Sequence, residues 1–155
     1  MFTTVCEYTI RALVRLAREQ GEGPVQVKVI AAKEDIPRHF LAKILNQLTY
    51  RGLVKAFRGP GGGFILSRQA DTISVLEVVD AVDGPDVRHT CLLGLPGCGE
   101  ENHCPLHDTW ERARSQFLAE IGRTSIQALA DASAAMPTLP KPGDADCPPK
   151  AAGTG

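Results

Sequence analysis

Three observations predict a mainly α-helical fold with one small β-hairpin. Apolar residues recur at helical spacing near both ends of the chain and around residues 38–50. Two short alternating runs flank a Gly-Pro-Gly-Gly-Gly tip at residues 59–63. A basic helix opened by proline stands just before that hairpin. The chain has 155 residues, 43% of them hydrophobic, which suits one compact domain with an added arm and tail. No apolar run approaches the roughly 18 residues of a membrane span. The first residues lack the basic and then apolar pattern of a secretory signal, so the expected compartment is the reducing cytoplasm.

Taken in order, residues 3 to about 20 read as an amphipathic helix. Val5, Tyr8, Ile10, Leu13, Val14, Leu16 and Ala17 form its stripe, with Arg11, Arg15 and Arg18 set between them. Gly21-Glu22-Gly23-Pro24 stops it, and Val25-Gln26-Val27 is a short extended piece. A helix over about 28–34 leads through Asp35-Ile36-Pro37 into another, which runs to about Tyr50. Its apolar positions are Phe40, Leu41, Ile44, Leu45 and Leu48. Gly52 suits the end of that helix. Leu53–Phe57 and Phe64–Leu66 form the hairpin. Ser74 with Glu77 matches a capping box and opens a short helix to about Val82, which Asp83-Gly84-Pro85 breaks. A Cys-rich loop follows. Beyond it a single long helix is predicted over about 105–132, with Trp110, Ala113, Phe117, Leu118, Ile121, Ile126, Leu129 and Ala130 on one face. From Met136 onward composition without periodicity predicts a disordered tail.

Helix, turn, basic helix and Gly-rich hairpin, in that order, outline a winged helix-turn-helix. The second helix of such a unit presents its first polar residues to the major groove of DNA. Here these are Arg38 and His39, with Lys43 one turn on. Their chemistry suits base edges and phosphates. The bare wing tip, including Gly61 and Gly62, lets backbone lie close to DNA, and Arg58 at its base can hold a phosphate or enter the minor groove. Charge agrees. Residues 1–70 carry eleven Lys/Arg against five Asp/Glu, while residues 71–155 carry six against thirteen. The predicted organisation is a DNA-binding domain over 1–83, a Cys-rich loop over 84–104, a dimerisation helix over 105–134 and a tail over 135–155. A two-fold dimer paired through the long helix reads two half-sites about one helical turn apart.

Three of the five cysteines fall in one loop, spaced Cys91-x6-Cys98-x5-Cys104-x2-His107. Thiolates hold iron–sulfur clusters, and imidazole can replace some of them. Gly94, Gly97 and Gly99 let backbone wrap a bulky centre and aim N–H groups at its sulfurs. Classical zinc sites use tight Cys-x2-Cys pairs, absent here, although the Cys-x2-His end suits zinc. Spacing alone leaves a cluster, a single metal such as zinc, and thiol redox chemistry open. His103 and His89 read as exposed loop residues, Cys6 as a small buried hydrophobe and Cys147 as an idle thiol.

Glu7–Leu13, Ile36–Leu45, Gly52-Leu53-Val54 and above all Arg58-Gly59-Pro60-Gly61-Gly62-Gly63-Phe64 resemble one family of bacterial regulators. It includes the iron–sulfur regulator IscR and the nitric-oxide-sensing repressor NsrR, and the similarity covers about residues 1–132. The resemblance implies a dimeric winged-helix repressor or activator with Arg38, His39, Lys43 and Arg58 at operator DNA. It also implies one iron–sulfur cluster per subunit on Cys91, Cys98 and Cys104. His107 falls where IscR-like members complete a 2Fe–2S site. Glu7, which by itself reads as a solvated or ion-paired carboxylate, falls where NsrR-like members donate an acidic ligand to the other subunit's 4Fe–4S cluster. The first cysteine interval is slightly longer than in the best-known members, so nuclearity is left open. The competing expectation is a cluster-free winged-helix regulator acting through thiol chemistry, zinc or a partner protein. No nucleophile–base constellation is present, and residues 59–63 lack the Lys-Ser/Thr of a phosphate-binding loop, so no enzyme is expected.

Overall fold

The computed structural model describes residues 3–99 and 102–134. The expected tail over 135–155, with Cys147, lies outside the described residues. The chain forms α1 (Thr4–Arg18), α2 (Val27–Glu34), α3 (Arg38–Tyr50), β1 (Val54–Phe57), β2 (Gly63–Leu66), α4 (Val75–Val82), α5 (His107–Arg123) and α6 (Ile126–Ala132). Short 3-10 turns at Ala70–Thr72 and Pro85–Arg88 flank α4.

α1 is the hub. Thr3 caps it by accepting the Cys6 N–H, and the helix packs against α2, α3, α4, α6 and β2. Cys6, Ala12 and Leu13 are completely buried, alongside Leu41, Leu45 and Ile30 from the next two helices. Each fully buried leucine contributes about 1.5–3 kcal/mol. The turn between α2 and α3 is made by Asp35 in the left-handed region (φ 54°), which seats Ile36 in the core. Pro37 caps α3 rather than opening it, one residue earlier than the sequence reading places it.

The hairpin pairs Val54 with Leu66 and Phe57 with Gly63. Val25 adds a bridge on the other side of β2, exchanging both backbone hydrogen bonds with Phe64 at 2.9 Å. Val25 and Gln26 of the expected extended piece are extended, whereas Val27 already opens α2. Half of the expected capping box forms: Ser74 Oγ accepts the Glu77 N–H, while the Glu77 carboxylate takes Arg68 as its partner.

The single helix expected over 105–132 is corrected: the chain forms α5 and α6, broken at Thr124 and Ser125. The break is caused by a backbone bridge. Val75 N–H donates to the Thr124 carbonyl at 2.9 Å and Ile126 N–H to the Ile73 carbonyl at 2.8 Å. Ser125 then caps α6 through the Ala128 N–H. The long apolar stripe is divided accordingly. Ile126 and Ala130 pack inside, with α6 against α1, whereas α5 has no fully buried residue.

Two basic side chains of the front half lie inside the fold. Arg11 and Arg15 are buried, facing Glu34, which is 2% exposed. Arg15 Nε donates to Glu34 Oε1 at 2.8 Å, and Arg11 Nη2 to the Glu34 carbonyl at 2.9 Å. Part of the basic excess of the front half is therefore spent inside the fold.

Candidate functional site

Two surfaces carry the expected site residues. On α3, Leu41, Ile44, Leu45 and Leu48 are buried, which turns His39, Lys43, Asn46, Gln47 and Tyr50 outward, with Arg38 exposed at the helix start. His39, Lys43, Asn46 and Tyr50 follow one another at helical spacing. Asn46 and Tyr50 were not singled out from sequence, although that spacing carries them, and Tyr50 is 91% exposed. Arg58, Gly59, Pro60 and Gly61 are exposed at the wing tip, where Gly59 and Gly61 adopt positive φ (95° and 76°).

Gly62 has a further constraint. A Cβ there would lie 2.3 Å from the Phe57 carbonyl oxygen, a backbone atom that cannot step aside. Gly62→Ala is therefore expected to cost about 1–3 kcal/mol and to weaken DNA binding by deforming the wing, measurable by urea unfolding and duplex titration.

The second surface is a cavity of about 470 Å³, lined by His89, Cys91, Cys98, Gly99, Cys104, His107, Trp110, Glu111 and Arg114. The Sγ atoms of Cys91, Cys98 and Cys104 all lie within 4.8 Å of one another, Cys91 and Cys104 being 4.0 Å apart. His107, the first residue of α5, places Nδ1 3.5 Å from Cys98 Sγ. Its ring lies over Gly99, where a Cβ would come within 2.9 Å of Cε1. That glycine (φ 104°) is what admits the imidazole. His103, expected as a plain loop residue, stacks on the His107 ring at 4.1 Å. His89, expected likewise, is exposed but lines the cavity.

The donors are chemically suited to a thiophilic metal centre. Cys91 is drawn down to about 7, first by hydrogen bonding from the Leu95 backbone N–H and then by that of Leu93. At Cys98 the Cys104 backbone N–H pulls downward, but burial and the adjacent Cys91 and Cys104 thiols prevail and push it up. Cys104 lies just before the N-terminus of α5. Three soft sulfur donors and one imidazole on a shared cavity thus fit an iron–sulfur cluster or a single thiophilic ion.

Glu7 is not among the residues lining this cavity; it lies 3.9 Å from Arg11 Nη1 on α1. Cys6 is fully buried and pushed up to about 12, by burial first and then by nearby Asp83. It is a core residue.

The loop is tied to the helices around it. Arg88, three residues before Cys91 in the loop, grips Asp80 of α4 through Nε at 2.9 Å and through Nη2. Trp110 of α5 donates its indole N–H to the Thr90 carbonyl at 2.9 Å. Trp110 is the chain's single tryptophan. Loading the cavity with a coloured iron–sulfur centre is expected to quench its fluorescence strongly, checked by anaerobic titration, whereas a colourless ion leaves most of the emission.

A helix-turn-helix with an exposed basic helix and a glycine-tipped wing defines a winged-helix, DNA-binding transcriptional regulator. The chain belongs to the Rrf2 family of iron-dependent transcriptional regulators, whose model matches residues 2–132. It is 33% identical over 127 residues to the HTH-type transcriptional regulator IscR of Xenorhabdus nematophila, covering 82% of this chain and 77% of that one. Among solved structures it is similar to CymR, the global cysteine regulator of B. subtilis, with a TM-score of 0.74 and 26% identity over 85% of this chain and 97% of that one. It is also similar to IscR of T. potens, with a TM-score of 0.68 and 26% identity over 88% and 90%. Like these relatives, the protein is a regulator of transcription and not an enzyme. No helix among the described residues is long and apolar enough to cross a membrane.

Proposed function

We propose that the chain is a cytoplasmic, homodimeric regulator whose affinity for operator DNA is set by one iron–sulfur centre per subunit. Cys91, Cys98, Cys104 and His107 hold it. The observation that carries this reading is the convergence of three thiols and one imidazole on one cavity at the N-terminus of α5. Both 2Fe–2S and 4Fe–4S centres suit three thiolates. Of the two candidates for the fourth ligand, His107 lines the cavity of its own chain, whereas Glu7 does not. An iron–sulfur centre, when bound, supplies sensitivity to iron supply, redox state or nitric oxide.

The rest of the reading concerns the chain itself. Ala113 and Phe117 lie exposed on α5, Phe117 at 36%, which suits pairing with a second copy. The loop grips α4 through Arg88, α4 packs on α1, and α1 packs on α3. This contiguous path joins the cavity to Arg38, His39, Lys43 and, through β1, to Arg58, Gly61 and Gly62, the proposed DNA contacts. A coupling of about 1–3 kcal/mol along it changes operator affinity 5–150-fold.

The similarity to a cysteine regulator, together with the 4.0 Å approach of Cys91 to Cys104, favours one second reading: a cluster-free regulator working through its thiols. Anaerobic purification followed by iron, acid-labile sulfide and zinc analysis decides between them. A brown protein with near-stoichiometric iron and sulfide supports the cluster. A colourless protein with zinc or no metal supports the alternative.

A further inference from the structure

The α5 side of the cavity carries a feature that the ligand set does not use. Trp110 Nε1 and Arg114 Nη1 donate to the same acceptor, the Thr90 carbonyl, at 2.9 and 3.0 Å. Thr90 is the residue immediately before Cys91. Two donors one helical turn apart, converging on one backbone carbonyl, fix the start of the cysteine loop in register with α5. The Arg114 side chain is 10% exposed, and its other guanidinium nitrogen pairs with Glu111, which is 48% exposed. A cation and a carboxylate therefore both line a cavity that also holds three thiols.

We propose that Arg114 is a positioning residue that, held through the Thr90 carbonyl, places its cation so as to set the reduction potential of the centre on Cys91, Cys98 and Cys104. The inference rests on the iron–sulfur reading above. A thiolate-bound cluster becomes more negative when it gains an electron, so a fixed neighbouring cation stabilises the reduced form and raises the potential. Glu111 acts in the opposite sense, and its exposure to water weakens its effect. Trp110 shares the acceptor but carries no charge, so its contribution is registration alone.

The test uses the full-length, anaerobically loaded protein in dye-mediated redox titrations followed by visible absorption. Arg114→Ala shifts the midpoint to more negative potential, and Glu111→Gln shifts it to more positive potential. Arg114→Lys stays closer to wild type than the alanine variant. Trp110→Phe keeps the wild-type midpoint but releases iron to a chelator about 10-fold faster. A residue with a merely structural role would not produce shifts of opposite sign at Arg114 and Glu111. If the Arg114→Ala midpoint equals wild type, or both variants move the same way, the inference is overturned while the cluster reading stands. Should Arg114→Ala fail to load, Arg114→Gln decides, because it removes the charge but keeps a donor for the Thr90 carbonyl, and an unshifted midpoint there overturns the inference. A wild-type protein that takes up no iron and sulfide overturns both.

Discussion

Alanine at Cys104 is expected to abolish iron and sulfide binding, and with it any difference in operator affinity between loaded and unloaded protein. Cys104 sits where the loop enters α5: its sulfur lies 4.0 Å from that of Cys91, and its carbonyl accepts the His107 N–H at 2.9 Å. Two thiols and one imidazole are too few donors for a cluster. His107→Ala leaves all three thiolates and is expected to lower the stability of the bound centre by about 10–100-fold, the range seen when ligand surroundings are disrupted. Glu7→Ala stays close to wild type in the same assay. Iron and sulfide analysis, with the rate of release to a chelator, measures all three. A large loss from Glu7→Ala with none from His107→Ala would instead place the fourth ligand on the second subunit.

The second large effect lies away from the cavity. Glu34→Ala is expected to cost about 3–5 kcal/mol, a large share of the roughly 5–15 kcal/mol that holds a domain of this size folded. The substitution leaves two buried guanidiniums, those of Arg11 and Arg15, without the carboxylate between them. Glu34→Gln keeps the shape and one acceptor, so its cost is smaller. Because Glu34 ends α2, the same ion pair fixes the helix-turn-helix against α1. Urea midpoints of the two variants check this, and a loss under about 1 kcal/mol for the alanine variant would mean that water reaches the pair.

Local signals in the sequence proved legible where the physics was local. The α3 stripe, the Gly-rich turn, the Ser74 capping box and the cysteine spacing all depend on residues within a few positions of one another. The misses have one cause, partners far along the chain. Arg11 and Arg15 stand between the apolar residues of α1, and nothing nearby signals their burial because Glu34, which they face, comes from another helix. Gly122, two residues before the α5–α6 break, is a weak local sign of it; the break exists because residues 73–75 bridge residues 124–126. Ser125 was another hint, as a good N-cap residue ahead of an apolar turn. At the site, Cys91, Cys98, Cys104 and His107 were found from spacing and resemblance. Trp110, Glu111, Arg114 and the stacking of His103 on His107 were not, since only the folded loop brings them together.

Coupling between the cavity and DNA is open to a single titration. Loaded and cluster-free full-length protein are each used to select duplexes from a randomised pool, and both forms are then titrated against the recovered labelled DNA at one fixed salt concentration. The affinities of the two forms are expected to differ by about 5–150-fold, with the difference lost in Cys104→Ala. Equal affinities for loaded and cluster-free protein on every recovered duplex would contradict this coupling.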